Sequence, residues 1–226
     1  MKKKILGMAC LIMAISAVAF CFGCKSPLEK REAELSELRD ELMVAKTERM
    51  TVTLCSGTRE NPFEIDGKSG DKTDFTVLTA ILSGLSDNAE VSYRLVANDR
   101  TYEGQLSKHP FKNSYSIELD ERIKGAATAT ITSGDFSETI DMKSVFTGEE
   151  ISADDALVIA EKRLKTRIDG MKEGKTLNAE VYVRYIENPI SSAGGYYWYV
   201  AFCPEKYEVY AVLIDPITRE ITAVRE

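Results

Sequence analysis

An uncharged apolar run at the amino terminus sets the first limit on what this chain can build. Lys2, Lys3 and Lys4 precede it, and from Ile5 to Gly23 no charged residue occurs. A basic head of this kind favours the cytoplasmic side of a membrane. The run is 19 residues long, at the short end of what crosses a bilayer core. Length alone leaves two readings open, an export signal and a retained membrane helix. Either one displays the rest of the chain beyond a membrane, and no later stretch approaches the apolar length of a second span.

The run closes on Phe20-Cys21-Phe22-Gly23-Cys24-Lys25-Ser26. A small residue directly before a cysteine, at the end of an apolar segment, resembles the lipobox of bacterial lipoproteins. Gly23 and Cys24 match it, and Cys21 stands where that family usually has an aliphatic residue. The resemblance implies that residues 1–23 are a lipoprotein signal peptide and that the Cys24 thiol carries the lipid. It further implies an extracytoplasmic body, held at the bacterial cell membrane by lipidated Cys24.

Charge narrows the partners. The chain has 29 Lys and Arg against 36 Asp and Glu; without residues 1–23 the basic count falls to 26, a net charge of −10. Nucleic acid selects basic surfaces, so it is not an expected partner. The folded part keeps only Cys55 and Cys203, and two buried free thiols are expected in preference to a bridge.

After Pro27 the chain reads LEKREAELSELRDELMVAK, with Leu28, Leu35 and Leu42 seven apart and Leu38 and Ala45 between them. That spacing predicts a helix with a narrow coiled-coil stripe. Two roles stay open for it: a spacer holding the body roughly 35 Å off the membrane, and a stalk that self-associates through residues 28–45.

From Met50 the period changes to alternation. Strands are predicted at 51–55, 75–82, 90–96, 101–106, 114–119, 126–132 and 136–146, separated by turns such as Lys124-Gly125 and Ser133-Gly134-Asp135. Seven short strands at this spacing predict a β-sandwich, and the pattern resembles immunoglobulin or fibronectin-type modules. The acidic turn holding Asp66 and Asp71 lacks the alternating carboxylates and closing Glu of a calcium loop, and reads as a solvated hairpin. His109, the single histidine, has no second histidine to share a metal.

Ser152 is a good N-cap for a helix running to about Asp169, with Ala156, Ile159, Ala160 and Leu164 on its apolar face. Strands at 180–186, 196–203, 209–214 and 220–224 follow, predicting a helix packed on an antiparallel meander. The segments Ser152-Ala153-x-x-Ala156-x-x-Ile159-Ala160, Gly195-Tyr196-Tyr197-Trp198-Tyr199-Val200 and Val212-Leu213-Ile214-Asp215-Pro216-x-Thr218-Arg219-Glu220-Ile221 resemble a PepSY domain, with Arg219 at the position of its turn glycine. PepSY domains occur in peptidase propeptides and secreted bacterial proteins and carry no catalytic residues. The resemblance implies a binding or regulatory module whose partner is a peptidase or another envelope protein. Independently, seven of ten tyrosines follow residue 180. Tyr197 and Tyr199 alternate with Trp198 and Val200, and are expected on the open sheet face, with Tyr182 or Tyr210, as a partner-binding surface.

No nucleophile–base pair, metal-ligand cluster, phosphate loop or cofactor fingerprint is found in the sequence. The expectation is therefore a non-enzyme without cofactor or metal. Its fold class is multi-domain: signal peptide 1–23, lipid anchor and helical stalk 24–49, immunoglobulin-like all-β sandwich 50–147, and PepSY-like α+β domain 148–226. Its expected function is binding or regulation at the membrane; the alternative is a structural subunit of an envelope complex assembled through the stalk.

Overall fold

The computed structural model describes residues 25–86, 89–190, 194–204 and 208–226. The expected signal peptide and Cys24 lie outside the described residues. The fold departs most from expectation at the stalk. Only α1 (Pro27–Lys30) is helical there, opened by a Ser26–Glu29 capping box; Leu35–Lys46 is a strand, β1. Its Leu, Glu, Arg, Met, Ala and Lys favour helix over alternatives by only a few tenths of a kcal/mol per residue. Neighbouring strands on both sides outweigh that preference.

Those neighbours come from far along the chain. The middle region supplies β2 (Met50–Glu60), β3 (Lys72–Leu82), β4 (Val91–Ala97), β5 (Arg100–Lys108), β6 (Tyr115–Leu119), β7 (Ala127–Ser133) and β8 (Phe136–Ser144). Then come α2 (Ala153–Arg163), α3 (Lys165–Gly170), the short pair β9 (Lys172–Glu173) and β10 (Thr176–Leu177), and a meander of β11 (Glu180–Glu187), β12 (Tyr196–Cys203), β13 (Tyr210–Ile214) and β14 (Ile221–Arg225). β2 pairs antiparallel along β1 from Glu37↔Arg59 to Lys46↔Thr51. On the other side β1 pairs in parallel with β11 from Leu35↔Val181 to Arg39↔Arg184, then antiparallel with β8 at Met43↔Ser144 and Val44↔Lys143.

The second of these pairings closes a barrel. The strand order β1-β2-β3-β6-β5-β4-β7-β8 returns to β1, and all eight contacts are antiparallel. The middle region is thus not an immunoglobulin-like sandwich. Seven strands alone leave two free edges; the eighth, taken from the expected stalk, removes them. Among the described residues no helical stalk or coiled coil stands before it, and the sheet runs without a break from the barrel through β11 to β14. A sandwich followed by a separate α+β unit is replaced by a closed barrel that shares β1 with an outer sheet.

Two large apolar clusters result, with a smaller third on the opposite face of the outer sheet. Val52, Leu54, Leu78, Leu95, Ala129 and Ile131 fill the barrel. Ala156, Leu157, Ala160 and Leu164 of the helical layer pack on Val181, Val183, Trp198, Val200 and Phe202 of the outer sheet. The α2 helix starts as its sequence dictates, with the Ser152 hydroxyl accepting from Asp155 N–H, and Trp198 donates its indole N–H to the Ile151 carbonyl at 2.9 Å. Leu35 and Leu42 belong to the second cluster although seven residues separate them, an odd spacing that would put them on opposite faces of an unbroken strand. Register shifts beside Ser36 and Asp40 interrupt the alternation between them, and past Arg39 β1 leaves the outer sheet for the barrel wall, whose outer face carries Leu42. Where β2 crosses the second irregularity, a Cβ on Gly57 would stand 1.8 Å from the Leu38 carbonyl oxygen, so glycine is required there. Arg219, in the β13–β14 turn, takes φ 66°, the left-handed conformation that suits the glycine it resembles in position.

Candidate functional site

The irregularity at Asp40 lies at the root of a concavity between the barrel and the outer sheet. Past the Arg39↔Arg184 pair, β1 turns into the barrel wall and β11 continues beside β12 alone. The fork between them is a groove of about 740 Å³, within the ordinary range for ligand sites. Its barrel wall is the outer face of β1–β3: Leu42, Val44 and Lys46, then Thr51, Thr53 and Cys55, then Val77, Thr79 and Ile81. These side chains are there because alternation sends Val52 and Leu54 inward and leaves the threonines outside. The facing wall is the β11 end, Tyr185, Ile186 and Glu187, together with Tyr196.

The aromatic wall is braced from behind. Phe146 stacks on Tyr185 at 4.2 Å between centroids, Tyr185 stacks on Tyr196 at 5.9 Å, and Trp198 meets Tyr185 edge-on at 5.0 Å. Burial, with Glu150 nearby, pushes the Tyr185 phenol well above its ordinary range, so it remains a neutral hydrogen-bonding group at physiological pH. At the root of the groove the Arg39 guanidinium donates to Glu37 at 2.5 Å, and Arg184 pairs with the same fully buried carboxylate. Burial also raises the Cys55 thiol, against the opposing pull of Arg39, so this groove-lining sulfur is not a thiolate nucleophile at neutral pH. Ile81, 49% exposed, lies along the open part of the groove.

Next to this root the loop between β2 and β3 folds back over the outer sheet. Glu180 accepts the backbone N–H groups of Asp66 and Gly67, each at 2.7 Å, and the Tyr182 hydroxyl. Glu60 accepts Gly70 N–H at 2.8 Å, and Ser69 donates to the Leu35 carbonyl at 3.0 Å. The acidic turn has Asp66 and Asp71 exposed to solvent, as expected, while its backbone is clasped by two buried carboxylates outside it, Glu60 and Glu180. Burial raises the Glu60 carboxyl, Gly70 N–H opposes the shift, and neighbouring Glu180 adds to it. Phe63 meets Tyr182 edge-on at 6.1 Å, and the Arg184 guanidinium lies 4.6 Å from the same ring.

The tyrosines singled out from sequence fall in two places. Tyr199 packs with buried Tyr182, Ala201, Cys203 and Ala211 on the face away from α2, and strand alternation puts Tyr197 on that face too. Both are half-buried. Tyr210 lies against the helix-side cluster, with the Arg167 guanidinium 5.4 Å from its ring. There it lines a second, shallower depression of about 470 Å³ beside Met171 and Lys172. Cys55 and Cys203 are both free. Among the described residues no group of three His, Cys, Asp or Glu side chains converges as a metal site.

Sequence reasoning passed over Arg39, Lys46, Tyr185 and Tyr196. The first two were hidden in a segment read as helix. The signal available for the others was the excess of aromatic residues near the carboxyl terminus, and for the barrel wall the Thr51-Val52-Thr53 alternation. Comparison of the chain with family models, with curated proteins and with solved structures gives no match.

Proposed function

We propose that this chain is a non-catalytic binding protein of the extracytoplasmic membrane surface, and that the fork between β1 and β11 is its ligand site. The observation that carries the reading is the open flank of β11. Tyr185, Ile186 and Glu187 keep β12 on one side and look into the groove on the other. A strand end of this kind takes an extended peptide by backbone pairing, while side-chain contacts select the sequence. Here the ligand's side chains would alternate between the aromatic wall and the Val44, Val77 and Ile81 stripe, with threonine hydroxyls between. The PepSY resemblance of residues 148–226 supports the same class of partner, an envelope protein or a peptidase that offers an extended segment. Assembly through a coiled-coil stalk has lost the element that would carry it, because residues 35–46 are a strand inside the fold.

The test is selection of short extended peptides (about eight residues) on the immobilised native protein and on Thr53→Trp, which fills the groove from the barrel's outer wall. Loss of retention by about tenfold or more in the variant is the expected result, with unchanged circular dichroism. Equal retention by both proteins would place binding elsewhere and defeat the groove assignment.

A further inference from the structure

The folded body begins almost at the anchor. Cys24 lies two residues before Ser26, the N-cap of α1, so at most about 7 Å of backbone separates their Cα atoms. That short helix is fixed to α2: Leu28 N–H donates to the Asp154 carboxylate at 2.7 Å, and Arg31 pairs with Glu161 at 2.6 Å. The consequence is geometric. A membrane holding residue 24, through lipid or through an uncut apolar run, cannot stand off from the α1–α2 layer.

The exposed side of that layer has a matching chemistry. Val158 on α2 is 48% exposed, and Ile217, in the turn that hydrogen-bonds to Ile151 at the start of α2, is 51% exposed. Between α2 and β14 a depression of about 600 Å³ has Ile159 and Ile221 inside and Lys162, Arg163 and Arg219 around it. Several carboxylates of the layer are already engaged: Asp154 by Leu28, Glu161 by Arg31, Glu226 by Arg163. Lys162 and Arg219 have no ion-pair partner among the described residues. Apolar side chains with unpaired cations beside them suit the interface of an anionic bilayer, even on a chain whose body is net acidic.

We propose that the α1–α2 layer, with the Ile159–Ile221 depression, lies against the anionic phospholipid surface that holds the amino terminus. This rests on the membrane-anchored reading, though not on whether the signal is cut. The fork groove belongs to a different surface stretch, on β1–β3 and the β11 end, and is free to meet a partner.

The full chain in vesicles of phosphatidylglycerol and phosphatidylcholine doped with a photoactivatable phospholipid tests this directly. Crosslinked peptides are expected within residues 150–165 and 215–225. Crosslinks spread evenly over the body, or confined to the β5–β6 hairpin tip where Phe111 is 91% exposed, would overturn the proposal. Failure of the protein to float with the vesicles would overturn the anchored reading itself, and this one with it. In Lys162→Glu, Arg219→Glu protein with native circular dichroism, yield in the two peptides is expected to fall several-fold. An unchanged yield would mean that the tether alone imposes proximity, and the docking surface would be refuted.

Discussion

The barrel interior and the joint beside it bury different chemistry. Inside the barrel the buried side chains are apolar apart from a few hydroxyls, and Ser56 and Thr76 satisfy each other at 2.7 Å. At the joint with the outer sheet three carboxylates, Glu37, Glu60 and Glu180, are buried, each with charged or backbone partners. Closed antiparallel strands need little beyond volume and alternation to hold their register. The parallel β1–β11 pairing is short, and its ends are marked by ions. A slip of one residue would take Glu37 to the helix side and leave Arg39 and Arg184 without their shared carboxylate. The barrel is specified by shape, the joint by charge.

Three substitutions would sharpen or break that contrast. The largest effect is expected from Gly57→Ala, because the added Cβ meets backbone, not a movable side chain. A loss of about 3 kcal/mol or more is expected in denaturant unfolding, with barrel and outer sheet failing together because both own β1. An alanine protein of native stability would show that the β1 irregularity is not where the two units are locked. Next is Glu37→Gln, which keeps the shape and removes the charge. Two guanidiniums then lose their counter-ion; since both are partly solvated, about 2 kcal/mol is expected in the same measurement. If unfolding midpoints of the two proteins coincide, the ion cluster specifies nothing and the contrast falls.

The smallest effect concerns pH. The Glu60 carboxyl is raised in the folded state above its ordinary value of 4.5. Its contribution to stability is therefore fully present below that value and is lost as pH rises through the folded one. Glu60→Gln, able to donate toward Glu180 while still accepting Gly70 N–H, is expected to remove this decline. The slopes of the two stability profiles should differ only in that window, with the offset persisting above it, and Leu54→Ala, in the barrel, should shift the whole profile without changing its form. Parallel native and Glu60→Gln profiles would mean that the clasp carboxylates do not share the joint's electrostatics.

Local pattern made seven strands legible, because β2–β8 alternate and end in turn residues. What the pattern could not carry was closure. β1 has the residues of a helix and the leucine spacing of a coiled coil; β2 pairs with one edge, and contacts with Val181–Arg184 and Lys143–Ser144 cover the other. Periodicity over a short window cannot register neighbours so distant in sequence. The same blindness hid the groove: Arg39 and Lys46 were placed on a stalk, and Tyr185 was one aromatic among many. At Asp66–Gly70 the turn residues were recognised, while the carboxylate that receives their N–H groups comes from Glu180.

The strand nearest the amino terminus has a consequence for biosynthesis. Synthesis delivers β1 and its hairpin partner β2 early, and the segments that cover the other edge of β1, around residues 143 and 181, come much later in the chain. Until then that edge is a free template for other chains. Completion of the fold is thus timed by delivery of β8 and then β11, and slow assembly dominated by distant pairings is built into the topology.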